Sequence, residues 1–188
     1  MSAEVLERLR RLLREQGGLI ATLVENGAGG GAHAAPPVES PAGMLCEGPR
    51  TKEQGAEYEL LVEAIYEGYL LHYGRPRVVR AGETDLALLA GDRLYAIGLA
   101  RLVALGDTLA VAELADTITL CALAHGAGDA ALADAVWVAG VRAVGWGPSA
   151  PHRRAKDLVL ARAPQALDAM LTCAGAAVRS RPIGPRYC

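Results

Sequence analysis

Phenylalanine is absent from this chain, lysine occurs only as Lys52 and Lys156, and aromatic residues make up 4% of its 188 positions. A hydrophobic fraction of 52% is ample for one packed domain, with room for an appendage. A basic block is missing as well. The 19 Lys and Arg are balanced by 21 Asp and Glu to a formal charge of -2, which argues against nucleic acid as a partner. The preference for Arg over Lys, with abundant Ala and Gly, fits a high-GC codon bias.

Two further absences bound the location. No window approaches the roughly 18 uninterrupted apolar residues of a membrane span, because the apolar region from Leu86 to Ala124 is broken by Asp92, Arg93, Arg101, Asp107, Glu113 and Asp116. No transmembrane segment is expected. The opening MSAEVLERLRRLLREQ is charged and amphipathic and lacks the apolar centre of a secretory signal. With Cys46, Cys121, Cys173 and Cys188 far apart in sequence, free thiols in the cytoplasm are expected.

What is present is helical periodicity. Val5, Leu6, Leu9, Leu12 and Leu13 form one stripe of a helix over Ala3–Gln16, and the apolar run Leu19 to Val24 extends it past Gly17 and Gly18. GAGGGAHAAPPVESPAG then reads as a flexible linker. Its Gly27 to Ala32 match a dinucleotide-binding pattern, but Pro36 and Pro37 forbid the helix that must open there. The chain therefore divides into an N-terminal helix (1–25), a linker (26–50), a helical core (51–147), and C-terminal helices with a tail (148–188). An isolated 14-residue helix is marginal, so the first one has to dock on this domain, on a second copy or on another protein.

Thr51 and Gln54 have capping-box spacing ahead of a helix that Gly74 and Pro76 end after Tyr73. Further helices are predicted from Thr84 to Gly106, Asp107 to Ala124, Ala130 to Val144, Ser149 to Arg162 and Pro164 to Arg179. Nothing reads as strand. The expected class is all-α, an antiparallel helical bundle.

The stretch LALLAGDRLYAIGLARLVALGD, Leu86 to Asp107, carries two apolar stripes, one with Leu86, Leu89, Ile97 and Leu105, the other with Leu88, Tyr95, Leu99 and Val103. That pattern predicts a helix in the middle of the bundle, with Asp92 near the core and in need of a partner. Gly91 and Gly98 predict close approach of a neighbouring helix.

Gly74, Arg75 and Pro76, followed by Leu89, Ala90, Gly91 and Asp92 and by the Gly106–Asp107 turn, resemble the middle of a trans-isoprenyl (polyprenyl) diphosphate synthase. The resemblance covers about Tyr58 to Gly126. It implies part of the isoprenoid synthase fold, and a family chemistry in which two Asp-rich motifs hold magnesium against an allylic diphosphate. At the place of the first motif stands EAIYE, with Glu63 and Glu67 one helical turn apart, able to share a cation or an Arg. His72 and Tyr73 replace the family's Arg-Arg pair, and Ala124 and His125 stand where its later helix ends in Gly-Glu or Gly-Gln. The Gly-Gly-Lys-Arg segment and the second Asp-rich motif have no counterpart.

Other candidate sites are weaker. Cys121 and His125 share a helical face, half of a metal site that His33 or His152 would have to complete, and a core cysteine beside a helix-end histidine is the plainer account. His152, Arg153, Arg154 and Lys156 read as a solvated face, Ser149 with His152 is not a triad, and Trp137 and Trp146 read as packing for the last helices.

The resemblance and its departures together imply a shortened, non-catalytic synthase relative acting as a small or regulatory subunit beside a catalytic prenyl synthase partner. No catalytic residue, metal or cofactor is assigned. Glu63, Glu67, His72 and Arg75 are vestigial diphosphate or metal positions, and Gly91, Asp92 and Gly98 are structural. An accessory helical protein of an unrelated complex, or a homo-oligomer, is the alternative. An active enzyme using magnesium on Glu63 and Glu67 is a third.

Overall fold

The computed structural model describes residues 3–24 and 40–175, which are helical throughout with no strand among them. The elements are α1 (Ala3–Gln16), α2 (Gly18–Thr22), α3 (Gly55–Tyr73), α4 (Thr84–Ala104), α5 (Thr108–Gly126), α6 (Ala130–Trp146), α7 (Ala150–Leu160) and α8 (Ala166–Ala174). The Gly27–Ala32 pattern, His33, Cys188 and the end predicted for the last helix lie outside the described residues.

α3 is the centre. It is apolar on every side and buried along almost its whole length, from Leu60 to Leu71. On one side Leu61 and Ile65 share a core cluster with Leu114 of α5, Trp137 of α6 and Met170 of α8, with α8 itself packed on α6 and α7, and the other side carries α1 and α4. Helix starts are set by side-chain caps: Asp107 accepts the Ala110 amide at 3.0 Å, Asp129 the Leu132 amide at 2.9 Å, and Ser149 the His152 amide at 3.2 Å. α5 is the one described helix with the length and hydropathy to cross a membrane, and its buried face, Leu114, Leu120 and Cys121, belongs to this core.

The N-terminal helix is not an appendage. Leu9, Leu12 and Leu13 share an apolar cluster with Leu60, Ala64, Leu71, Leu94 and Ile97, and Arg8 donates to the Ala56 carbonyl at 3.0 Å. Positive φ at Gly17 and Gly18 turns the chain into the short α2, and beyond it Val24 bridges to Val79. The end of the expected linker is also structured: Pro41–Cys46 is a 3-10 helix, started by Ser40 and Pro41, that buries Ala42 and Leu45 completely. Thr51 does not form a capping box, because its hydroxyl donates to the Leu45 carbonyl instead and α3 begins only at Gly55.

The central placement of α4 is overturned. It packs on α3 with one face only, leaving Leu89 64% and Val103 57% exposed, and Asp92 lies in solvent on the outer side. Contact with α3 is close where glycines meet. A Cβ on Gly68 would sit 2.9 Å from the Gly91 carbonyl, one on Gly91 2.6 Å from the His72 ring, and one on Gly98 would collide with Ile65. Such distances admit only glycine unless a neighbour moves.

Candidate functional site

Glu63 and Glu67 are fully buried, and the group between them is Arg77. Its Nη2 lies 2.6 Å from Glu63 Oε2 and its Nε 3.2 Å from Glu67 Oε2, with the guanidinium 5.1 Å from the Tyr66 ring centre. Glu67 Oε1 accepts the amides of Arg77, Val78 and Val79 at 2.7, 2.6 and 3.1 Å. The sequence puts both carboxylates on one face of α3 one turn apart. After Pro76 the chain bends at Arg77 and Val78, so that three successive amides and the Arg77 side chain come back over that face.

This arrangement does not fit a magnesium–diphosphate centre. Of the four carboxylate oxygens, three are engaged by Arg77 or by backbone amides, and Glu63 Oε1 is the remaining one. Magnesium asks for near-octahedral oxygen ligation with several waters, which a single buried oxygen beside a guanidinium cannot provide. Chemically, the site holds a connection in place. The expectation of a shared cation or Arg resolves to Arg.

The other positions that the resemblance singles out do not join it. Arg75 is exposed. His72 stacks flat on Tyr95, with ring centres 5.3 Å apart, and its Nε2 lies 3.2 Å from Asp92 Oδ1, an ion-pair distance without hydrogen-bond alignment. Tyr73 stacks at 4.2 Å on His125, whose Nε2 pairs with the Tyr69 hydroxyl at 2.9 Å. Cys121 is buried against the Ala133 carbonyl, and burial pushes its thiol far up. Among the described residues no group of three His, Cys, Asp or Glu is placed to hold a metal.

A second buried polar cluster joins α5 to α7. Glu113 is 6% exposed, with His152 Nε2 at 3.0 Å and Lys156 Nζ at 3.1 Å, and Lys156 reaches on to Asp116 at 2.6 Å. Burial pushes the Glu113 carboxyl up, but the hydrogen bonds from His152 and Lys156 and the Lys156 charge outweigh it and hold it below the usual carboxylate value. Burial pulls Lys156 down, and its bonds to Asp116 and Glu113 raise it above the ordinary lysine value. With Glu113 ionised, His152 Nε2 carries the proton and donates it. The expected solvated face is therefore corrected for His152 and Lys156: both are anchored on a buried carboxylate.

Arg77 and Glu113 are the residues that sequence reasoning missed. The signal for Arg77 was an Arg directly after the Gly-Arg-Pro segment, ten residues beyond Glu67. For Glu113 there was only a lone acid in an apolar helix, a residue type that is rarely buried without a partner.

No protein-family model, no curated protein and no solved structure matches this chain.

Proposed function

We propose that this chain is a non-catalytic, isoprenyl diphosphate synthase-like subunit of the cytoplasm that acts by pairing with a catalytic prenyl synthase. The observation that carries this reading is the replacement of a cation by Arg77 between Glu63 and Glu67, at the place where the resemblance puts the first Asp-rich motif. A guanidinium inside the pair, 6% exposed and bonded to both acids, leaves no ligand set for a leaving diphosphate. What the chain offers instead is surface. The outer side of α4 exposes Leu88, Leu89 and Val103, and the turn beyond it and the start of α5 expose Leu105 and Leu109, a concentration of large apolar groups of the kind that marks interaction sites.

The test is co-expression with a synthase from the same host that carries both Asp-rich motifs, followed by measurement of complex mass and of turnover of farnesyl and isopentenyl diphosphates. A stable equimolar complex, with turnover residing in the partner and unchanged by Glu63→Gln in this chain, is the expected result. Magnesium-dependent turnover by this chain alone, lost in Glu63→Gln, would overturn the non-catalytic reading. Failure to associate with any such synthase would favour a repurposed bundle in an unrelated complex.

A further inference from the structure

A groove of about 410 Å³ opens where the end of α6, the start of α7 and the end of α8 meet. Arg142, Trp146, Ser149, His152, Thr172 and Cys173 line it. The Arg142 guanidinium lies 5.0 Å from the Trp146 ring centre and makes no ion pair with any described carboxylate. The guanidinium lies over the ring, and its N–H groups make no hydrogen bond to a described residue, so they stand open to an anionic acceptor. The indole beneath it is 37% exposed, a flat apolar surface beside the charge.

The opposite wall adds a second polar group. His152 is 4% exposed and held through Nε2 on Glu113, while its Nδ1 has no hydrogen-bond partner among the described residues. A nearly buried imidazole tethered at one nitrogen, with the other left unpartnered in a groove-lining residue, presents an oriented polar atom that no protein group uses. The hydroxyls of Ser149 and Thr172 stand with it, although each has a local bond of its own. Burial raises the Cys173 thiol, so it stays neutral and brings no negative charge to the groove. The start of α7, a positive helix end, borders the groove. The volume falls within the roughly 300–1,000 Å³ of small-molecule sites.

We propose that this groove binds a small organic anion with a planar apolar body, the body against Trp146 and the carboxylate or phosphate head on Arg142; only a ligand O–H or N–H would use the His152 Nδ1 lone pair. The site lies on α6–α8, outside the stretch that resembles the synthases, so it stands or falls independently of the proposed function.

The test uses the full chain labelled with nitrogen-15, titrated with phenyl phosphate and with benzoate and followed at the Trp146 indole and Arg142 Nε resonances. Benzyl alcohol and inorganic phosphate serve as the head-less and body-less controls. Saturable shifts are expected with at least one aryl anion, and whichever binds tighter identifies the head group. Both controls should bind about tenfold more weakly or worse, as should the anion to Arg142→Gln, which removes one charge-assisted hydrogen bond. Arg142 and Trp146 are exposed, so Arg142→Gln and Trp146→Leu leave the core intact, and an unshifted Trp137 indole confirms it. Benzyl alcohol binding as tightly as the anions, unaltered binding in Arg142→Gln, or no saturation by either anion at roughly 10 mM, a range weaker than about -3 kcal/mol, would overturn the proposal.

Discussion

Arg77 Nη2 meets Glu63 Oε2 at 2.6 Å where both side chains are almost wholly shielded from water, 6% and 0% exposed. A pair in such surroundings is held by geometry and by neighbouring donors, since its Coulomb attraction is largely offset by the cost of removing both ions from water.

Removing one partner should therefore be costly. Arg77→Met leaves two carboxylates buried with no cation between them, and a loss of roughly 3–5 kcal/mol is expected. Arg77→Lys keeps the charge but not the fork that reaches both acids, and should fall between the two. Urea unfolding followed by circular dichroism measures both. An Arg77→Met midpoint equal to that of the parent would mean the buried pair contributes nothing to holding the 74–83 connection.

The α3–α4 contact yields a prediction about size alone. Gly98→Ala places a methyl onto Ile65 Cγ1 and within 3.1 Å of the Leu61 carbonyl, and should destabilise by about 1–3 kcal/mol through overpacking. Gly82→Ala, with nothing near its Cβ and no positive φ, should be neutral or slightly stabilising. If thermal melting ranks the two variants in the opposite order, the helices do not approach as closely as described.

Glu113 makes stability depend on pH at both ends. Its folded-state carboxyl titrates below the ordinary 4.5, so its contribution is present above that value and lost as pH falls through the lower one. Lys156 titrates above the ordinary 10.5, so its contribution is complete below that value and lost as pH rises through the higher one. Glu113→Gln should cost about 3 kcal/mol near neutrality and flatten the acid limb, while Asp116 preserves part of the alkaline one. Denaturant midpoints across the acid range, compared between parent and variant, decide it. An acid limb of unchanged depth would assign the dependence to other carboxylates.

The outer face of α4 can be altered without touching the core. Leu89→Glu with Val103→Glu should change stability by less than about 0.5 kcal/mol per site, because both side chains already stand in water. The same pair should weaken association with the catalytic partner at least tenfold, by burying charge in an apolar contact. Sedimentation of the co-expressed complex reads the second effect and melting the first. Normal association in the double variant would move the interface elsewhere.

Much of the fold was legible because helices are local. Apolar periodicity, Asp107 and Ser149 at the starts, and Gly74 with Pro76 after Tyr73 mark boundaries within a few residues of where they fall. Gly91 and Gly98 pointed to a close neighbour because glycine in a helix interior costs propensity and needs a packing reason. The site was legible only in half. Two glutamates one turn apart announce a shared cation, but whether that cation is a metal, a lysine or Arg77 depends on where the chain goes after Pro76.

The sequence by itself determined that the described residues are all-α, where most of their helices begin, and that Glu63 and Glu67 share one helical face, since each of these follows from spacing along one helix and the chemistry at its ends. Tertiary structure alone decided that α4 lies at the edge and not the centre, that Asp92 is in water, that α1 is part of the body, and that Arg77 and Glu113 are the hubs of two buried ionic clusters. A helix with two apolar stripes can bury either or both, and a carboxylate can pair with any cation that folding brings to it. Those choices belong to contacts between residues far apart in sequence, where no local period carries the information.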